Sequence, residues 1–453
     1  VVIYMDRRVD MHSKRQAVYG GKTMIKSPRG TSDVLPPESA KWIYLEGIVR
    51  ELARRYNFDE IRLPTFEHSE LFSRTVGETT DIVEKEMYTF KDKTGRDLTL
   101  RPEGTAGVAR AFLEHGMASG PLPRKLYYLG SMFRYERPQA GRYREHRQFG
   151  VEVFGSLSPY SDVEVITLAM DIAEELGLTG TELVLNSIGC PKCRGAYREE
   201  LIAYLSPNID EMCQDCRSRL THNPLRALDC KNERCKVLVK DAPASLDYLC
   251  DECREHWDLL REILTSVGIK YSVDKSLVRG IDYYTRTVFE LKWPPLGPAG
   301  STLCGGGRYD GLIEELGGPP VPGVGFGMGL ERMLLANEKG EKPIKAGGEI
   351  DVFIVCPKAG GGQEDDLRRE AHLLELARSL RKRGLACDFD PLRRSMKAQM
   401  KQADRMNARF VVILGEDEFR SGSVAVRSMR EGWQKTVPLG EVLASIEEAG
   451  QNG

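Results

Sequence analysis

The chain has 453 residues, 41% hydrophobic and 29% charged, with a formal net charge of -2 and eleven cysteines. That length exceeds one ordinary core, so two or three domains are expected, and the composition excludes a low-complexity or fibrous protein. No apolar run is long enough to cross a bilayer, and the near-neutral total does not advertise nucleic acid, although a polyanion needs only a local basic surface.

Residues 1–23 carry Arg and Lys with no apolar run after them, so they are not a secretory signal. They are expected to be a disordered extension upstream of a start at Met24, in a reducing, cytoplasmic compartment. From Trp42 to Tyr56 apolar residues recur at helical spacing, and a short strand is predicted at Glu60 to Leu63. Pro64 ends it, which marks an edge or an interface. Asp97 to Arg101 reads as a strand, Pro102 to Gly104 as a turn, and Thr105 as the start of a helix. Glu103 and Thr105 then stand where a carboxylate and a hydroxyl face a ligand ammonium, or where Thr105 caps the helix.

The stretch Lys125 to Phe154 organises the rest. Its aromatic and β-branched runs, Leu126 to Tyr135 and Gln148 to Phe154, flank an arginine-rich polar segment and predict a long antiparallel hairpin. Arg134 closes the first strand and Arg142 lies in the loop. Gln148, Gly150, Glu152 and Phe154 share one face of the second strand, a surface suited to a polyanion beside a small polar ligand.

An amphipathic helix from Asp162 to Leu176 precedes a segment with eight of the eleven cysteines. They pair as Cys190 with Cys193, Cys213 with Cys216, Cys230 with Cys235, and Cys250 with Cys253. Such spacing suits tetrahedral zinc, or reduced structural thiols, and in a reducing compartment points to metal before disulfide. The sequence leaves two sites, or one site and spare thiols, equally open.

SLVRGIDYYTRTVFELKW then presents Arg279, Asp282, Tyr283 and Tyr284, and the triple glycine Gly305 to Gly307 allows close backbone approach to a ligand. A glycine-punctuated strand leads from Gly323 into a helix carrying Arg332; neither a dinucleotide fingerprint nor a P-loop is present. After a linker, 337–348, strands alternate with helices and predict a small α/β domain with a largely parallel sheet. Arg378 to Arg409 holds ten Lys and Arg against three Asp, which makes RNA docking there competitive with plain solvation.

Together these segments resemble the class II aminoacyl-tRNA synthetases, and among them the histidyl-tRNA synthetase family, over about Met24 to Val442. IRLPTFE with Pro64 resembles the first class motif, FRYE at Phe133 to Glu136 the second, and GMGLER at Gly327 to Arg332 the third. RPEGT, LVRGIDYYTRT and GGGRYDGL resemble the histidine-specific signatures. The resemblance implies an α+β protein: an antiparallel catalytic core (24–189 and 261–336), a cysteine-rich insertion (190–260), and a C-terminal α/β anticodon-binding domain (349–453). It also implies a homodimer that ligates histidine to tRNA(His) through a histidyl-adenylate, with ATP as substrate and Mg2+ as helper. Structural Zn2+ is compatible with it, although the cysteine set departs from many relatives.

Residue by residue, the resemblance gives Arg134 and Arg279 to the α-phosphate, and Arg142 and Arg332 to the distal phosphates. Glu136 falls to adenine, and Glu103 and Thr105 to the substrate α-amino group. Gln148 takes the carboxylate, Glu152 and Tyr284 the imidazole, and Tyr283 lines the pocket. A regulatory relative without catalysis and an adenylate-forming amide ligase without tRNA are the competing readings.

Overall fold

The structure is a computed structural model that describes residues 18–19, 22–23, 25–78, 80–137, 141–297, 300–344, 350–358 and 363–451. Two compact units result, one of Val1–Val34 with Trp42–Ile344 and one of Leu35–Lys41 with Lys345–Gly453. Within the extension, Val18–Tyr19 pairs with Lys22–Thr23; its remaining residues lie outside the described ones.

The first unit is built on an eight-stranded sheet. Its centre is the expected hairpin, Arg124–Phe133 against Glu145–Phe154, followed outward by Gly323–Gly329, Thr302–Arg308, Thr285–Lys292 and Glu182–Ser187. All of these pair antiparallel. Only the two edge strands, Asp59–Glu60 and Tyr271–Val273, run parallel to their neighbours. The strand expected at Glu60 to Leu63 is therefore shorter and earlier, with the Ile61 amide still bonded to the Tyr127 carbonyl (2.8 Å) as the chain leaves the sheet toward Pro64.

The two-residue pleat sorts the hairpin between two cores. Phe149, Val151 and Val153 face the larger one, packed under the helices Glu38–Arg55, Pro159–Glu175, Asp251–Ser266 and Leu330–Lys339. Leu126, Tyr128 and Phe154 face the other side, against the helix Thr105–Glu114 and the tyrosines 283, 284 and 309. The second face carries the polar residues.

The helix Leu330–Lys339 runs past the expected linker start, because Asn337 is buried and donates to the Leu176 and Lys342 carbonyls while accepting from the Ile344 amide. The second unit has five strands ordered Cys387–Phe389, Val352–Val355, Phe410–Ile413, Ser423–Ser428, Gln434–Pro438. Its first three are parallel, as the βαβ spacing requires, but the last two pair antiparallel, the fourth after the short helix Glu416–Arg420 and the fifth through a hairpin, so the sheet is mixed rather than largely parallel.

Beneath the first sheet, Arg308 and Asp162 are both fully buried and lie 2.7 Å apart, with Arg308 also donating to the Ser156 and Ser158 carbonyls and to Asp310. The Arg308 guanidinium and His256 hold the Asp162 carboxyl below its ordinary range, against the opposing effect of burial. Removing one partner strands a buried charge. Asp162→Ala is accordingly expected to lose about 3–5 kcal/mol of stability, read from urea unfolding.

Candidate active site

A cavity of about 980 Å³ opens on the polar face of the large sheet. It is lined by Arg134, Glu136, Arg142, Arg332 and Arg279, and by Glu103, Thr105, Gln148, Tyr283 and Tyr284. Ten of the eleven residues to which the resemblance gives a role thus meet in one place. Glu152 does not line the cavity; it lies one layer deeper with no solvent exposure.

What holds Glu152 there is local. Its Oε1 accepts from the Thr105 hydroxyl at 2.6 Å, and Tyr309 donates to Oε2. A side chain at Gly325, directly opposite on the neighbouring strand, would bring its Cβ to 2.2 Å from the same carboxylate, so only glycine fits. Tyr284 makes no hydrogen bond to Glu152 among the described residues. Tyr309 links them, its hydroxyl on Glu152 and its ring edge-on to both Tyr283 and Tyr284.

Glu103 corrects the expectation of which residue caps the helix. Its carboxylate accepts the Thr105 amide (2.7 Å) and the Ala106 amide (2.8 Å), so Glu103 serves the exposed N–H groups of the helix start and Thr105 is freed to face Glu152. The carboxylate of a cap remains a capable acceptor, because each oxygen has a second lone pair.

Arg279 reaches over the sheet from the loop before the strand Thr285–Lys292. Its Nη1 donates to Glu290 Oε1 at 2.7 Å. Glu290 pairs across the strands with Gly305, where a Cβ would come within 2.2 Å of the guanidinium. Close approach at Gly305 thus serves an arginine lying flat on the sheet. Arg279 Nε and Gln148 Oε1 are buried and unpartnered among the described residues, and both residues line the cavity.

The other cations are anchored by backbone carbonyls or by a carboxylate. Arg134 Nε donates to Pro102 (2.8 Å), Arg332 Nη1 to Thr302 (2.8 Å), and Arg142 Nη1 reaches Glu136 Oε2 at 3.3 Å. Burial and then the charges of Arg142 and Arg134 push Arg332 below its ordinary range. His146 is pushed down to about 3 by burial, then by Arg134 and Arg332. The region is electropositive beyond what its own carboxylates offset, the condition for holding a polyphosphate.

Tyr309, Glu290 and His146 join the site without having stood out in the sequence. Tyr309 lies within GGGRYDGL, so the motif held the signal, but its partner is 157 residues away in sequence. The cysteines gather into two groups, Cys190, Cys193, Cys250 and Cys253, and Cys213, Cys216, Cys230 and Cys235.

Mutually repelling arginines across a glycine-floored antiparallel sheet, beside a deep acid pocket, are the arrangement of a class II aminoacyl-tRNA synthetase. The histidyl-tRNA synthetase family profile matches residues 30–333, and an anticodon binding domain profile matches 351–449. The chain belongs to the histidyl-tRNA synthetase family. It is 50% identical to the histidine–tRNA ligase of Halothermothrix orenii over 94% of this chain and 99% of that protein. The apo histidyl-tRNA synthetase of S. aureus is 41% identical, with a TM-score of 0.78 over 93% of this chain and 100% of that one. A Bacillus halodurans protein described as an ATP phosphoribosyltransferase regulatory subunit/histidyl-tRNA synthetase is 23% identical with a TM-score of 0.58, over 87% and 99%, and shares the fold alone. As a family member the chain catalyses ATP-dependent ligation of histidine to tRNA. Among the described residues no helix is long and apolar enough to cross a membrane.

Burial pushes Glu152 up to about 8 from an ordinary 4.5, against the lowering effect of Thr105 and Tyr309 and with a further rise from Glu103. The folded protein therefore keeps a proton that the unfolded chain releases, and stability falls as pH rises from 4.5 to about 8, then levels. Glu152→Gln removes this titration. The stability of the parent relative to that variant is expected to decline through this window and stay constant above it, measured by urea unfolding at fixed ionic strength.

Proposed function

We propose that the cavity aligns histidine and ATP so that the amino-acid carboxylate attacks the α-phosphorus, with the arginines supplying fixed positive charge. The observation that supports this most is Arg279, a cavity-lining residue clamped on Glu290 with a buried Nε that has no partner among the described residues. The attacking carboxylate is already an anion, so no strong base is needed. Alignment and charge stabilisation remain as the sources of rate.

On this reading Arg134 and Arg279 contact the α-phosphate, Arg142 and Arg332 the distal phosphates, and Glu136 the adenine. Forked donors match phosphate oxygens better than an ammonium does. Mg2+ is the natural companion of the triphosphate. The buried Glu331 Oε2, without a partner among the described residues, fits a cation, and Glu331 would hold it. When bound it neutralises phosphate charge.

Glu103 and Thr105 bind the α-amino group, Gln148 binds the carboxylate through its carboxamide, and Tyr283 forms the pocket wall. Glu152 and Tyr284 read the two imidazole nitrogens, one as acceptor and one as donor. Thr105 donates to Glu152 Oε1, which keeps a second lone pair for the ring N–H. A ligand lacking the ring nitrogens leaves both groups unpaired, and the enzyme discriminates by roughly 10⁴.

The working form is a cytoplasmic homodimer, joined near Pro64, that charges tRNA(His), and the cysteine groups hold structural Zn2+. The exposed Lys382, Arg383, Lys397, Lys401 and Arg405 of the second unit contact the RNA backbone. By contrast Arg393 pairs with Asp366 and Glu370, and Arg394 with Asp390, so these two serve the fold.

Histidine-dependent exchange of pyrophosphate into ATP, followed by charging of tRNA, tests the whole reading. Arg279→Ala is expected to lower the exchange kcat by about 10²–10³ while histidine Kd changes little; equal losses in both would make Arg279 a binding residue only. Lys397→Ala with Lys401→Ala is expected to weaken tRNA binding and to make log affinity fall less steeply with log salt, by about one unit of slope for each phosphate left without its lysine, leaving pyrophosphate exchange unaltered.

A further inference from the structure

We propose that the two cysteine groups are separate, nested Zn2+ centres with different tasks: the outer fastens the insertion to the catalytic sheet, and the inner builds one wall of the active-site cavity. This rests on the zinc reading above and adds the pairing, the count and the role of each centre.

The geometry is that of a tetrathiolate. All four sulfurs of each group lie within 4.8 Å of one another. The Cys190 and Cys193 sulfurs are 3.7 Å apart, Cys190 and Cys250 3.9 Å, and Cys213 and Cys230 3.7 Å. A tetrahedron with zinc–sulfur bonds of about 2.3 Å sets its sulfurs about 3.8 Å apart, whereas a disulfide needs about 2.05 Å. Backbone amides point at the same sulfurs: Cys250 N to Cys193 Sγ (3.1 Å), Cys213 N to Cys235 Sγ (3.2 Å) and Asn232 N to Cys230 Sγ (3.4 Å). Such donors stabilise thiolate ligands and orient them.

The outer group takes one CxxC from each end of the insertion. Cys190 precedes the helix Pro191–Leu205, and Cys250 precedes the helix Asp251–Ser266. Just before Cys190, Ile188 and Gly189 exchange backbone hydrogen bonds with Arg286 (both 2.9 Å), which continues the sheet pairing of Glu182–Ser187 with Thr285–Lys292. A metal here closes the loop at its base, directly on the sheet.

The inner group lies wholly inside the insertion, and its second pair is the wall. Asp229 and Lys231 flank Cys230, Lys236 follows Cys235, and all three line the cavity with Arg279 and Glu290. Its first pair leads the helix Gln214–His222, from which Arg219 reaches Asp81 at 2.8 Å, joined there by Arg226 at 3.0 Å. Asp81 adjoins the segment Ile82–Glu86, which brings Lys85 and Glu86 to the same cavity. Two stretches of cavity lining therefore depend on one cluster of sulfurs. The segment 229–236 has little else to hold it, since only Cys230 and Cys235 in it are buried.

The experiment is elemental analysis of the purified full-length protein, with X-ray absorption at the zinc edge and hydrogen exchange on the parent and on Cys230→Ser/Cys235→Ser. Two zinc atoms per chain, each with four sulfurs at about 2.3 Å, are expected. The double variant is expected to retain one zinc and to exchange amides of 229–236 and 81–86 roughly tenfold faster or more, while 188–193 and 250–253 match the parent. No zinc in the parent overturns the zinc reading itself, and one zinc per chain overturns the pair of centres. Two zinc atoms with unaltered exchange in the double variant overturn the wall while leaving the zinc reading intact. Should that variant not fold, graded release of zinc from the parent by a thiol-directed mercurial replaces it: faster exchange at 229–236 on loss of one zinc supports the wall, and its absence overturns it.

Discussion

A buried carboxyl that keeps its proton up to about pH 8 and a cluster of guanidinium groups share one face of the sheet, and the structure depends on how the two are held apart. Glu152 is held off by a full layer of side chains, bonded to Thr105 and Tyr309 and pressed against the glycine at 325. Arg279 is held on the sheet floor by Glu290, over the glycine at 305. The carboxyl and the guanidinium thus share a face without forming a pair. A buried pair would have satisfied both and left nothing for a ligand.

The hairpin, the helix starts and the alternation of its inward and outward residues were legible because they are local. Aromatic and β-branched runs at a two-residue period specify a strand, and which residues share a face follows from the pleat alone. Gln148 and Glu152 were accordingly placed on the same side, as found. What escaped was depth. Nothing in the period tells that Glu152 sits behind Thr105 while Gln148 lines the cavity, because that depends on a tyrosine 157 residues further on.

The same limit explains the other differences. Glu103 takes the helix amides because it is buried beside them, and a sequence rule that looks for Ser, Thr, Asp or Asn at a helix start passes over it. The cysteines pair by nesting, first with last, and spacing alone does not distinguish that from neighbouring pairs combining in sequence. The last two strands of the second unit run antiparallel, one after the short helix Glu416–Arg420 and one after a turn, which the alternating pattern upstream did not foreshadow.

Glu290 gives the arrangement a consequence for charge during the reaction. Arg279 is half-compensated by the protein: one Nη is bound to a carboxylate while Nε has no acceptor among the described residues. On the proposed reading, a phosphate oxygen bound by Arg279 adds to its donor set without breaking the Glu290 bond, so the guanidinium need not reorganise as negative charge develops. Arg134 is similarly fixed through the Pro102 carbonyl, which uses Nε for position and on the same reading leaves the Nη pair for phosphate. In both cases a single bond from the protein fixes the fork and the remaining donors stay available. Preorganised donors of that kind favour the charged transition state over the ground state, and they do so because the protein, rather than water, has already oriented them.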